Sequence, residues 1–249
     1  MTDKFIHNLL KDLSIPDDCL LVLHVKLKAM KSKTNKDYKT LTKEVLKFLI
    51  EEYNPRAILV PTFTYSFIKS GVFHLLYSKS ETGRFSEETR ANFTKFRTKN
   101  PLFSFADING YFRNINLDNT KAFGRNTIFA YLDDKRTVNI NIGLDRFICS
   151  QLHHIEKLHD VSYRFNRKFE GYMYLDKKIH RKIEFNYFMR DLEEYPKWDR
   201  KRIKEKLLSE NKLCKKIYHD IEVNWINSRD LKGVISEKLQ KDDDWLLNK

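Results

Sequence analysis

Apolar positions along this chain fall into short runs, each with a readable period. Residues 5–13 predict a short amphipathic helix that stops before Pro16. Residues 19–25 are a compact apolar run with His24 near its end, the pattern of a buried strand. Residues 41–50 place Leu41, Val45, Phe48 and Leu49 at helical spacing, and Asn54-Pro55 closes that helix. A second buried strand is expected over 57–60, closed by Pro61. Strand, helix, strand in this order predicts a βαβ unit with a parallel pair, and hence an α/β sheet. Further strands are expected at 138–142, stopped by Gly143, and near 172–175, with a helix over 150–159. From about 199 to 241 the chain reads as charged and helical, with Ile203, Leu207, Leu208, Leu213 and Ile217 as apolar points packed on the core.

The expected architecture is a single domain spanning 1–249. It is α/β, with a central mixed, partly parallel sheet flanked by helices, and with 199–249 as a charged helical C-terminal extension. Composition fits this picture. Hydrophobic residues make up 41% and aromatics 13%, enough for a folded core, while seven Gly and five Pro leave no room for a flexible linker. No apolar run approaches the roughly 18 residues of a membrane span, and the first residues lack a leader's apolar stretch. Cys19, Cys149 and Cys214 form neither a disulfide framework nor a C-x-x-C knuckle, which points to a reducing, cytoplasmic setting.

A net charge of +13 changes the range of partners more than the fold. It suits nucleic acid, a membrane surface, or small polyanions such as coenzyme A and nucleotide-sugars. The basic residues are spread along the chain, as they are in any Lys-rich composition. There is no RNP1 pattern and no helix-turn-helix with a basic face, so nucleic-acid binding is not expected. Nor is there a G-x-G-x-x-G, a Walker A loop or an H-E-x-x-H.

Candidate chemistry begins with His153 and Glu156. Residues three apart share a helix face, so the carboxylate can fix the tautomer of the imidazole and make a base that works near neutral pH. Cys149 lies on the same face and opens an acetyl-enzyme route as an alternative. His153, His154, Glu156 and His159 are metal ligands in type, but Lys157 breaks the H-x-x-E-H spacing and no metal is assigned. Residues 61–66 follow a buried strand and offer three hydroxyls and Tyr65 to a polar ligand, or else cap a following helix. Glu87 and Arg90, three apart after Gly83, read as a grip on an amino substrate or as a surface ion pair. Pro101 makes 97–104 an extended loop.

Taken in order, several of these segments resemble the aminoglycoside 3-N-acetyltransferase family. They are Leu-Val-x-His at 21–24, Leu-Val-Pro-Thr-Phe-Thr-Tyr-Ser at 59–66 and Gly-x-x-x-Glu-x-x-Arg at 83–90. Arg-Thr-x-Asn-Pro-x-x-Ser at 97–104, Phe-Gly at 123–124, Leu-His-x-x-Glu at 152–156 and Tyr-Arg at 163–164 complete the set. The likeness covers 15–175 as a family-like core and omits the charged C-terminal segment.

The resemblance implies an α/β enzyme that moves an acetyl group from acetyl-CoA, or another acyl-CoA, to a primary amine. It casts His153 as the base, Glu156 as its orienting carboxylate and Ser104 as an oxyanion donor. Tyr65, Glu87, Arg90 and Asn100 fall on the substrate side, and Lys26, Lys28, Thr62 and Thr64 on the coenzyme side. Two departures bear on the acceptor. Asn100 stands where antibiotic-acting members carry His, and Val25-Lys26 with the basic stretch 31–39 replace a Ser-Ser pair and a Gly-rich turn. The Asn-Pro form is closer to members associated with surface-polysaccharide enzymes, so the expected acceptor is a nucleotide-linked amino sugar, and a homodimer is allowed. An aminoglycoside acceptor, with antibiotic resistance as its outcome, and a non-catalytic nucleic-acid- or sugar-binding protein are the alternatives.

Overall fold

The run beginning at Leu20 has apolar side chains in both alternating sets, which suits a strand covered on its two faces. In the computed structural model, which describes residues 4–177, 180–191 and 193–248, this run is the middle of the molecule. The chain starts with α1 (Lys4–Leu10), β1 (Leu20–Val25), α2 (Leu27–Thr34), α3 (Tyr38–Tyr53) and β2 (Ala57–Pro61). It continues through α4 (Phe67–Ser70), β3 (Val72–His74), α5 (Arg84–Asn92), β4 (Phe96–Arg97) and β5 (Phe105–Asp107). Next come α6 (Ile128–Tyr131), β6 (Thr137–Ile142), α7 (Gln151–His159) and the long strands β7 (Arg164–Tyr174) and β8 (His180–Arg190). The last elements are α8 (Arg200–Ser209), β9 (Cys214–Tyr218), β10 (Ile221–Asn227) and α9 (Ser228–Lys241).

Seven strands form a mixed sheet in the order β4-β5-β2-β1-β6-β10-β9. β1 runs parallel to β2 and to β6, and the remaining pairs are antiparallel. The period-2 rule then divides β1. Leu20 and Val22 join one core cluster with Leu152 and Ile155 of α7 and Leu231 and Ile235 of α9. Leu21 and Leu23 join the other, with Ile6 of α1 and Leu41, Val45 and Leu49 of α3. Helices therefore cover both faces, the α/β arrangement expected from the sequence.

The helical reading of 199–241 holds for α8 and α9 and is corrected between them. There β9 and β10 form a hairpin, and β10 pairs with β6 inside the central sheet. The segment is thus part of the sheet rather than an appendage to it. His219 and Asp220 both have positive φ (47° and 63°), the requirement of a two-residue type I′ turn. That turn lacks the Asn-Gly signature, and the charged flanks mask the alternation of buried Val223 and Trp225. Ile217, expected to pack on the core, is exposed on the edge strand.

β7 and β8 form a second sheet with β3, far longer than the strand expected near 172–175. Their outer side chains are mostly polar and exposed, which leaves little apolar period to read. β3 meets β7 where two glycines cross. A Cβ on Gly171 would lie 2.1 Å from the Gly71 carbonyl oxygen, which accepts from the Tyr172 N–H at 2.7 Å. Gly171→Ala is therefore expected to push β3 off β7 and destabilise the protein by about 1–3 kcal/mol. Gly233→Ala, in open space on α9, should raise stability by roughly 0.5–1 kcal/mol. Thermal melts of the two variants would separate these opposite signs.

Candidate active site

Parallel strands on both sides of β1 leave a crevice beyond its carboxyl end, where open α/β sheets bind ligands. A cavity of about 340 Å³ lies there, lined by His24 and Val25 from β1, Phe63 and Tyr65 after β2, and Leu144 and Arg146 after β6. The loop after β6 is held by Asn141, whose amide accepts from the Ile148 N–H and donates to the Ile148 carbonyl, both at 2.9 Å. That clamp fixes where α7 begins and so where its side chains point. A second cavity, about 480 Å³, is lined by His153, Trp198, Arg190, Lys197 and Asn248, and it shares Arg146 and Arg200 with the first.

His153 and Glu156 are brought together as their spacing predicts, with Nδ1 3.3 Å from Oε2. Glu156 is wholly buried. Its Oε1 accepts from the Tyr163 hydroxyl and the Trp198 indole N–H, each at 2.8 Å, and its Oε2 meets Arg164 Nη2 at 2.7 Å. Burial alone would raise the carboxyl pKa. The Arg164 charge, with His153 and Trp198, outweighs it and holds the group below its ordinary value.

The His153 ring lies between aromatic walls, 4.3 Å from the Trp198 ring and 5.7 Å from Phe123 between centroids. Burial draws its pKa down to about 4, with the Glu156 hydrogen bond opposing and the Arg164 charge assisting. The side chain is still 26% exposed on the cavity side, so water there solvates the charged form and works against that fall. Arg164 Nη2 also lies 2.9 Å from Nδ1. With Nδ1 protonated, the ring donates to Glu156 and keeps a free Nε2 lone pair. With Nδ1 bare, Arg164 donates to it and the other nitrogen carries the proton.

Other expected site residues lie apart from this pair. Ser104 is buried, and its hydroxyl donates to the Thr62 carbonyl and accepts from Arg97 Nε. Thr62 and Thr64 are buried in the same cluster, each accepting from the Arg97 guanidinium. The oxyanion role for Ser104 and the coenzyme roles for Thr62 and Thr64 are therefore corrected, because a buried cation with no carboxylate paired to it among the described residues takes up all three hydroxyls. Burial lowers the Arg97 pKa to about 9. Asn100 is also buried; its amide caps the Leu102 and Phe103 N–H groups and donates to the Lys121 carbonyl, which makes it a brace for the loop.

Glu87 and Arg90 form a bidentate pair at 2.7 and 2.8 Å, and Glu87 also caps the Ser80 N–H. That is the ion-pair reading, and it leaves no free carboxylate for a substrate amine. Lys26 pairs with Asp145, and Lys28 is exposed on α2; neither lines either cavity. Tyr65 does line the crevice. Cys149 is buried, which pushes its thiol up to about 12 and removes the thiolate that an acetyl-enzyme would need. Among the described residues no group of three or more His, Cys, Asp or Glu converges as a metal-ligand set.

Several residues enter the site without having been singled out for it. Trp198 donates to Glu156 and walls His153. It is held by the chain's end, where Asn248 N–H donates to the Lys197 carbonyl and Asp199 N–H to the Leu246 carbonyl. Arg146, Arg190, Lys197 and Arg200 carried no local signal. Arg164, part of the Tyr-Arg motif at 163–164, pairs with Glu156.

Comparison with known proteins gives a likeness of fold only. No protein-family model matches the sequence, and no curated protein matches it. The crystal structure of aminoglycoside acetyltransferase AAC(3)-Xa is similar at a TM-score of 0.76 and 14% identity, over 100% of this chain and 95% of that one. AAC-IIIb, solved as a binary complex with CoASH, gives 0.73 at 13% identity over 95% of each chain. The YokD protein from Bacillus subtilis gives 0.75 at 12% identity over 98% and 94%.

Two expectations follow from the geometry. Arg164→Leu leaves the Glu156 carboxylate buried without its cation, which should lower stability by about 3–5 kcal/mol in urea unfolding. His153 and His24 both have folded pKa values lowered to about 4 from 6.5, so the folded state binds fewer protons than the unfolded one. Their contribution is intact above pH 6.5 and is lost as the pH falls toward 4. Urea midpoints measured from pH 8 to 4 should fall in that window, less steeply in His153→Gln.

Proposed function

We propose that the chain is an acyl-CoA-dependent N-acyltransferase that acetylates the primary amine of an amino sugar. We further propose a cytoplasmic enzyme whose acceptor is a nucleotide-linked sugar used in surface-polysaccharide synthesis. The observation that carries the reading is His153, fixed through Nδ1 by a buried carboxylate while its ring edge opens into a cavity. The fold shared with AAC-IIIb in complex with CoASH supports the acyl donor. The crevice itself suits a polar ligand with an apolar arm. Val25, Phe63, Leu144 and Ile148 line it, and His24 Nε2 is buried there with no hydrogen-bond partner among the described residues. An aminoglycoside acceptor rests on structural neighbours, such as AAC-VIa bound to sisomicin, at a TM-score of 0.74 and 15% identity.

In this reading Nδ1–H donates to Glu156, and the Nε2 lone pair faces the acceptor nitrogen. The amine attacks the thioester carbonyl carbon, a C–N bond forms, and Nε2 takes the proton that the nitrogen sheds. When the C–S bond breaks, the imidazolium returns that proton to the departing thiolate. A weakly basic histidine suffices, because the nitrogen of the tetrahedral adduct is cationic and strongly acidic. Glu156 and the π face of Trp198 stabilise the imidazolium while it lasts.

Release of free thiol from acetyl-CoA in the presence of amino sugars tests the reaction. His153→Ala should lower kcat by about 10²–10⁴ with a smaller change in KM. Turnover that survives the substitution unchanged would exclude this base.

A further inference from the structure

Four cationic side chains share the cavity with His153: Arg146, Arg190, Lys197 and Arg200. They come from the loop after β6, the end of β8 and the entry to α8, so only the folded chain assembles them. Among the described residues no carboxylate lines this cavity, and none pairs with any of the four. Other basic side chains, such as Lys26, Arg56, Lys204 and Lys232, are each held by an acid, whereas these four meet on one concave wall with none. Arg190 has unmet hydrogen-bonding capacity as well as charge, since its Nε and Nη1 are buried and bond to nothing among the described residues. Arg200 is held in place, donating from Nη1 to the Phe147 carbonyl at 3.1 Å and lying 5.2 Å from the Trp198 ring. Burial, then the charge of a neighbouring arginine, works against ionisation at both Arg190 and Arg200. Like charges gathered without counter-charge are unfavourable, and an anion among them relieves that repulsion.

We propose that Arg146, Arg190, Lys197 and Arg200 form a subsite for the phosphate or diphosphate group of an anionic acceptor amine, beside His153. The assignment to the acceptor rests on the acyl-transfer reading; binding of the anion does not. Coenzyme A also carries a diphosphate, but its pantetheine arm, roughly four residue-lengths of chain, holds that group about 14 Å from the thioester. The four cations line the same cavity as His153, whereas a coenzyme diphosphate would lie an arm's length from the reacting carbon. Planar guanidinium forks suit bidentate contact with phosphate oxygens. The same charges repel a polycationic aminoglycoside, so the subsite separates the two candidate acceptor classes.

Titration calorimetry on the full chain with inorganic pyrophosphate, followed by acetyl-CoA added to the pyrophosphate-saturated protein, tests the subsite. Pyrophosphate should bind, more weakly as salt rises. Arg190→Gln and the exposed-site variant Lys197→Gln should each weaken it about tenfold, while Lys47→Gln on α3 leaves it unchanged. Acetyl-CoA should then bind with its affinity preserved. Absence of pyrophosphate binding, or equal binding in all three variants, would overturn the subsite. Displacement of pyrophosphate by acetyl-CoA would overturn its assignment to the acceptor. If acetyl-CoA fails to bind to the protein without pyrophosphate while the variants still weaken pyrophosphate, the acyl-transfer reading fails and the anion site stands; if it binds alone but not to the saturated protein, the assignment to the acceptor fails.

Discussion

A carboxylate with no exposed surface sits where α7, the start of β7 and the segment before α8 converge, and its charge has to be met from all three. Moving such a group out of water is worth several kcal/mol against folding unless ionic and hydrogen-bond partners replace the solvent. Glu156 receives Arg164 and Tyr163 from the turn into β7, Trp198 from the approach to α8, and His153 from its own helix. Trp198 in turn is backed by residues 246–248. The orientation of His153 is thus a by-product of neutralising its neighbour, and the end of the chain takes part in it. A C-terminal segment that lies outside the resembling core in sequence is indispensable to the site in space.

The distribution of charge separates structure from function more clearly than its total. Among the described residues Arg97 and Arg164 are the most deeply buried guanidiniums, and each is met in its own way, although Arg164 Nε has no hydrogen-bond partner there. Arg97 is met by neutral carbonyl and hydroxyl oxygens, and Arg164 by a carboxylate and the Phe188 carbonyl. Both hold loops in place. The four cations around the His153 cavity are only half-buried or exposed, and they converge on one wall where no carboxylate among the described residues meets them. A stability role would pair them, and a surface role would disperse them into solvent. Convergence on a concave wall beside a base fits neither.

Much of the fold was legible because its strongest elements are local. β1, β2, α3 and α7 lie close to where apolar period, Pro and Gly mark them, and the parallel pairing of β1 with β2 follows from their order. The β9–β10 hairpin was hidden by a His-Asp turn that needs two positive φ values without glycine. In the site, the helical dyad was legible for the same local reason. The resemblance cast Thr62, Thr64 and Ser104 in site roles, but their hydroxyls are engaged by Arg97, from a separate strand, a contact that no local sequence pattern shows. The cation cluster was illegible in principle. Positions 146, 190, 197 and 200 share no period, and only the closure of β8 and α8 over α7 brings them to one wall.

These arrangements act together on the nitrogen that would be acylated. Only a neutral amine is nucleophilic, and a primary amine in water near pH 7 is mostly protonated. Positive charges close to it disfavour the ammonium form, just as burial and Arg164 disfavour imidazolium at His153. The cavity that would hold the acceptor's anion therefore also favours its free amine. In the proposed reaction a neutral His153 would take up the proton, which becomes acidic only once the new bond has formed. In that reading Glu156 would keep the imidazolium from being prohibitive at that moment, and Arg164, which holds the Glu156 carboxyl below its ordinary value, would keep it ionised to do so. Substituting a neutral side chain for Arg164 would therefore reach the chemistry through two groups at once, by freeing His153 to bind protons and by letting Glu156 take one.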